Sequence, residues 1–182
     1  MFDTTKLSLT KMEAARRQLK VAITLWFQGG DAVAVHTLAG AAYQIIHDIC
    51  VAKSAGPLLF DSPLIRDEYR REAVNLLKHD VNFFKHADKA PNGTTDFPPA
   101  TSELFMMGAI WGLQNLALER DVEEKAFFVW FTIQHPEFLT EEGIRARSQF
   151  SNRKEFDEVR RLPREQFLNA VKLAWSHLKA AI

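Results

Sequence analysis

Apolar residues recur at steps of three and four along almost the whole chain, a periodicity that leaves room for little but α-helix. Thr10 and Glu13 form a capping-box pattern, in which each side chain can satisfy the other's orphan backbone N–H. Behind them Met12, Ala15, Leu19, Ala22, Ile23 and Trp26 share one helical face. Gly29-Gly30 supplies the permissive backbone that ends this helix. Asp31 is placed to cap a second helix, running to about Lys53, with Val35, Leu38, Ala42, Ile45, Ile46 and Ile49 on its apolar side. Ser62-Pro63 is a further start signal, a hydroxyl before a proline at the first helical position. Val74, Leu77, Val81 and Phe84 follow it, and the pattern fades near Asp88.

A fourth helix is predicted through Leu104, Met107, Gly108, Trp111 and Leu118. Asp121 with Glu124 opens a fifth, carrying the apolar segment Ala126 to Phe131 and stopped at His135-Pro136. A short helix near Arg153 to Arg161 comes next. A last one runs from Pro163 with Leu168, Val171, Trp175, Leu178 and Ile182 in register. Period-two alternation between hairpin turns is lacking. The expectation is an all-α, single-domain bundle of six or seven helices over residues 1–182, without a β-sheet. Its longest loop is placed at about 89–100, and 119–182 is the segment that would form a helical C-terminal subdomain.

A chain of 182 residues can bury roughly 70% of its unfolded surface, so it needs no disulfide or structural metal to fold. Its 23 basic residues balance 23 acidic ones, which leaves no global field to draw in nucleic acid or an anionic membrane. Cys50 is the single cysteine and excludes multi-cysteine metal modules. The longest nearly uncharged stretch, Leu104 to Leu118, is about 15 residues against the roughly 20 apolar residues a span requires. The first twenty residues have no apolar core of signal-peptide type, and with one unpaired thiol a reducing cytoplasm is the expected compartment.

The candidate chemistry lies on two helices. At 100° per residue, Glu68, Glu72, Asn75, His79, Asn82 and His86 form one stripe on the third helix, with Lys78 and Lys85 to its side. Carboxylates, amides and imidazoles in a row can coordinate a cation, hold a phosphate or move a proton. A solvated face would look the same. On the second helix His36, Tyr43 and His47 share a face, and Asp48 follows His47. Ala39, Gly40, Ala41 and Ala42 suit that helix to a central position, where a His–Asp contact would be structural.

Bundle metal sites are built from His and carboxylates on facing helices, with Glu-x-x-His in the di-iron type. Neither that pattern nor His-Glu-x-x-His occurs here. No cofactor is expected; a divalent metal on His47, Asp48, His79 and His86 is the alternative. Cys50 has apolar neighbours and reads as an inert thiol. Nucleophile elbows, phosphate loops and dinucleotide fingerprints are missing. Gly108 and Gly112 are spaced for close packing of a neighbouring helix. For nucleic acid, Arg145, Arg147, Arg153 and Lys154 with Phe150 make the best patch, flanked by Glu141, Glu142, Glu155, Asp157 and Glu158.

The segments LAGAAYQIIHD, at Leu38 to Asp48, and NFFKHAD, at Asn82 to Asp88, resemble those of an uncharacterised family of small bacterial all-helical proteins. The layout is also similar to the HEPN superfamily of helical bundles, which includes RNases and toxin-system components. That resemblance, over roughly the first 90 residues, implies an Asn82–His86 polar pair. In an active relative it implies RNA cleavage through His86, with Lys85 or an arginine of a dimer partner offsetting phosphate charge. Catalytic members place an arginine four to six residues before the histidine. Ahead of His86 those positions hold His79, Asp80 and Val81; ahead of His79 they hold Glu72, Ala73 and Val74.

Three functions follow. The first is a non-catalytic binding module whose polar cleft, drawn from Tyr43, His47, Asp48, His79, Asn82 and His86, takes a small ligand, a nucleotide or a partner protein. The second is a HEPN-like RNase, with a homodimer, using His86, Asn82 and Lys85. The third is a metal-dependent hydrolase or oxidoreductase with His, Asp and Glu ligands.

Overall fold

The computed structural model describes residues 6–88, 90–151 and 154–180. Eight α-helices and one 3₁₀ turn occur there, and no strand is present among the described residues. In chain order they are α1 (Lys11–Phe27), α2 (Ala32–Ala52), α3 (Asp67–Phe83), α4 (Thr101–Asn115) and α5 (Val122–Gln134). A 3₁₀ turn (Pro136–Phe138), α6 (Glu141–Ser151), α7 (Lys154–Arg160) and α8 (Arg164–Ala180) complete the order.

The helix starts follow local chemistry. Glu13 N–H donates to Thr10 Oγ1 at 3.1 Å while Glu13 Oε2 accepts from Thr10 N–H at 2.8 Å, the reciprocal pair the spacing predicts. Asp31 Oδ1 accepts from Ala34 N–H at 2.8 Å, and Asp121 with Glu124 forms a second capping box. Gly29, at φ 66°, takes the left-handed position after α1.

α2 is the central helix, packing on α1, α4 and α3. Its small residues and those of its neighbours permit this. A Cβ at Gly40 would meet Val81 Cγ2 of α3 at 2.6 Å, one at Gly108 would meet Tyr43 Cε2 at 2.9 Å, and one at Gly112 would run into Ile46. The same core continues between α1, α5 and α8. There Trp26 meets Phe27, Phe127 and Trp130 edge to face, and Phe27 stacks on Phe167. Arg16 clamps its rim, with Asp121 at 3.0 Å and the fully buried Glu124 at 3.2 Å.

Both ends of α3, the end of α4 (at Asn115, where the sequence reading ran to Leu118) and one further helix differ from the sequence reading. α3 begins at Asp67, not at Ser62-Pro63, because Arg70 donates to the carbonyls of Ser62 and Ile65 and holds those residues in a turn before the helix. It ends at Phe83, five residues before the point where the pattern fades. α6 was not anticipated. Thr140 Oγ1 accepts from Gly143 N–H at 3.2 Å and Glu141 and Glu142 occupy the first turn, the ordinary start signals of a helix. The short helix expected near 153–161 is α7. Lys89, Arg153 and Ile182, and the side chains of Arg147, Phe150, Lys154, Glu155 and Leu178, lie outside the described residues. Among the described residues no helix is long and apolar enough to cross a membrane.

Candidate functional site

Residues 79, 82, 83 and 86 recur at three- and four-residue steps, so α3 and the turn after it present them on one side. The helix closes with Phe84 N–H on Asp80 O at 3.0 Å, and His86 N–H turns back onto Asn82 O at 3.1 Å. His86 is thereby carried past the helix end yet kept in line with Asn82. Beyond it the chain returns: a Cβ at Gly93 would touch Phe83 Cε2 at 3.4 Å. The result is an open groove of about 510 Å³ lined by His79, Asn82, Phe83, His86, Asp88 and Ala90, within the roughly 300–1,000 Å³ of ligand sites.

His79 is oriented from behind. Its Nδ1 lies 3.0 Å from Asp80 Oδ1, and its ring stacks near-parallel on Phe83 at 6.5 Å. Asp80 in turn accepts from Thr95 Oγ1 at 2.8 Å, which ties the loop ahead of α4 to α3. Glu68, Glu72, Asn75, His79, Asn82 and His86 are all exposed.

The second-helix residues are elsewhere. Tyr43 is fully buried, and its hydroxyl accepts from Phe60 N–H at 3.1 Å; burial pushes its pKa far up. His47 is mostly buried, with Nδ1 3.3 Å from Asp48 Oδ1 and Nε2 3.5 Å from Asp61 Oδ1. The second approach does not make a hydrogen bond, so Nε2 is unsatisfied. None of Tyr43, His47 and Asp48 lines the α3 groove. The two stripes therefore do not face each other: one looks into the core, the other outward. Among the described residues no three His, Cys, Asp or Glu side chains gather as metal ligands.

α2 does meet α3 at a second hollow, of about 270 Å³. Gly40 and Gln44 form its α2 wall, Lys78, Val81 and Asn82 its α3 wall, with Lys85 just past the end of α3 and the rings of Phe60 and Phe105 beside them. Asn82 borders both hollows. Lys78 Nζ lies 4.5 Å from the centre of the Phe60 ring, a cation–π distance.

Two polar pairs, one buried and one partly buried, have no counterpart in the sequence reading. His36, wholly buried among the rings of Phe84, Phe97 and Phe105, has Nδ1 3.0 Å from Ser102 Oγ. Burial holds its pKa below the ordinary value. Glu103 Oε2 lies 3.1 Å from His135 Nε2, and Arg164 approaches its other oxygen at 3.6 Å while lying on the Trp26 ring. A signal for the second existed: Glu103 stands at i, i+3 and i+4 with Met106 and Met107, an acid on an apolar stripe. Cys50 is buried, its thiol toward Gly112 O at 3.5 Å and its pKa raised by burial.

Comparison of the chain with protein-family models, curated proteins and solved structures returns no match. The functional reading rests on the geometry.

Proposed function

We propose that this is a non-catalytic helical binding module whose groove at the end of α3 takes a small planar polar ligand. The observation that carries this reading is the shared wall of His79, Asn82, Phe83 and His86. Two imidazoles and a carboxamide offer donors and acceptors in one row, and the parallel His79 and Phe83 rings offer flat faces for stacking. Acid–base chemistry by His86 lacks the arginine that the HEPN pattern requires, and no arginine is among the residues that line the groove. Binding asks for no missing group.

The test is an NMR titration that follows the histidine ring signals against adenosine, uridine and nicotinamide as probes. At least one probe is expected to move His79 and His86 together while His135 and His177 stay in place, and Asn82→Ala is expected to weaken that response. If no probe moves both rings at millimolar concentration, the groove is only a solvated surface and the reading fails.

A further inference from the structure

The two hollows that meet at Asn82 differ in chemistry in a way that specifies a ligand. The groove side carries two imidazoles, the Phe83 ring and the Asp88 carboxylate; the α2–α3 side has the Phe60 and Phe105 rings, two ammonium groups and, among its described lining residues, no carboxylate. In a chain with equal numbers of acids and bases, two lysines in one hollow without an ion pair among the described residues call for an account.

Three acids of α2, α3 and the segment between them bond elsewhere. Asp48 Oδ1 accepts from Gln44 Nε2 at 2.7 Å, and Asp80 Oδ1 is held by Thr95 and faces His79. Asp61 Oδ1 accepts from Leu58 N–H at 2.6 Å. Neither Lys78 nor Lys85 forms an ion pair among the described residues; Lys78 rests on the Phe60 ring instead. Lys78 stands on α3 and Lys85 two residues past its end, and both line this one hollow. Opposite them Gly40 takes the Val81 side chain against its backbone, which brings α2 close to α3 beside this hollow.

The geometry points to one ligand across both hollows, an aromatic phosphomonoester of the nucleoside monophosphate kind. This rests on the binding reading above. The ring lies in the groove against Phe83 and His79, and Asn82 at the junction bonds to the sugar or ring. The phosphate sits between Lys78 and Lys85, where two charged donors oppose its two negative charges. No bond is made or broken.

The experiment compares AMP, adenosine and inorganic phosphate on the full chain, read by NMR at the His79, His86, Lys78 and Lys85 signals. AMP is expected to move all four and to bind about ten-fold more tightly than adenosine, the scale of one charge-assisted contact. Lys78→Gln with Lys85→Gln should bring AMP down to the affinity of adenosine and leave adenosine unaffected, which also shows that the variant is folded. Equal affinity for AMP and adenosine overturns the inference and leaves the binding reading intact. So does inorganic phosphate binding as tightly as AMP, because the ring then contributes nothing. AMP signals confined to the lysines overturn the single-ligand arrangement. If adenosine and AMP both leave His79 and His86 unmoved, the inference falls, and the binding reading is then decided by uridine and nicotinamide.

Discussion

Thr95 Oγ1 donates to Asp80 Oδ1 across 2.8 Å, and the same carboxylate oxygen lies 3.0 Å from Nδ1 of His79. One acid thus secures the loop ahead of α4 and sets the ring that forms the groove wall. Thr95→Val keeps the shape and removes the hydroxyl. It is expected to cost about 1 kcal/mol, seen as a lower urea midpoint. Hydrogen exchange in residues 90–97 should quicken more than exchange in α2. Equal protection of that loop in both proteins would show that Phe97 alone, packed on His36 and Phe84, holds it.

Gly40 and Gly112 set how closely α2 can be approached. A methyl at either position meets a side chain that is itself in the core: Val81 at 2.6 Å for Gly40, and Ile46 and Leu58 for Gly112. Each Gly→Ala change is expected to destabilise by roughly 1–3 kcal/mol through overpacking, whatever helix propensity it adds. Val81→Ala in the Gly40→Ala background should return part of that loss. A double-mutant cycle that shows strict additivity would rule out direct contact between the two.

What the sequence made legible is what short-range chemistry decides. The caps at Thr10, Asp31 and Asp121 were readable because each needs only residues three positions away, and the glycine spacing in α4 announced a close neighbour. Ser62-Pro63 misled because Arg70, eight residues on, claims the Ser62 carbonyl. The stripe from Glu68 to His86 followed from helical geometry, yet periodicity gives direction around an axis, not what lies outside it. His36 and Tyr43 point inward because α2 is covered by three helices. His47 is close enough to Asp61 to face it only because residues 58–61 fold over α2, a long-range event with no local signature. Asp80 was passed over although Leu77 three residues before it marks the inner face.

His36 should make stability depend on pH. Burial depresses its pKa; the Asp80 charge opposes this and Lys85 adds to it. The unfolded chain takes up its proton near pH 6.5, whereas the folded chain holds the ring neutral to a lower pH. The stabilisation is therefore complete above about 6.5 and is lost as pH falls toward the folded pKa, by at most about 1.4 kcal/mol per unit. Urea midpoints at pH 7.5 and 5.5 should differ in the wild type and differ less in His36→Gln. Parallel shifts in the two proteins would show that His36 does not carry the pH dependence.

Cys50 reports on the same core without any substitution at the site. Its Sγ lies toward Gly112 O, its side chain is 1% exposed, and burial raises its pKa, so neither access nor thiolate character favours reaction. A disulfide reagent is expected to label the native protein only as fast as the α2–α4 contact opens, and to label it at once in denaturant. Because a Cβ at Gly112 would also sit 3.5 Å from that sulfur, Gly112→Ala should speed labelling, whereas Thr95→Val, which loosens the distant loop, should leave it nearly unchanged. Rapid labelling of the wild type would mean that this seam opens locally without global unfolding, and the packing at Gly112 would then be a weak point in the core and not its anchor.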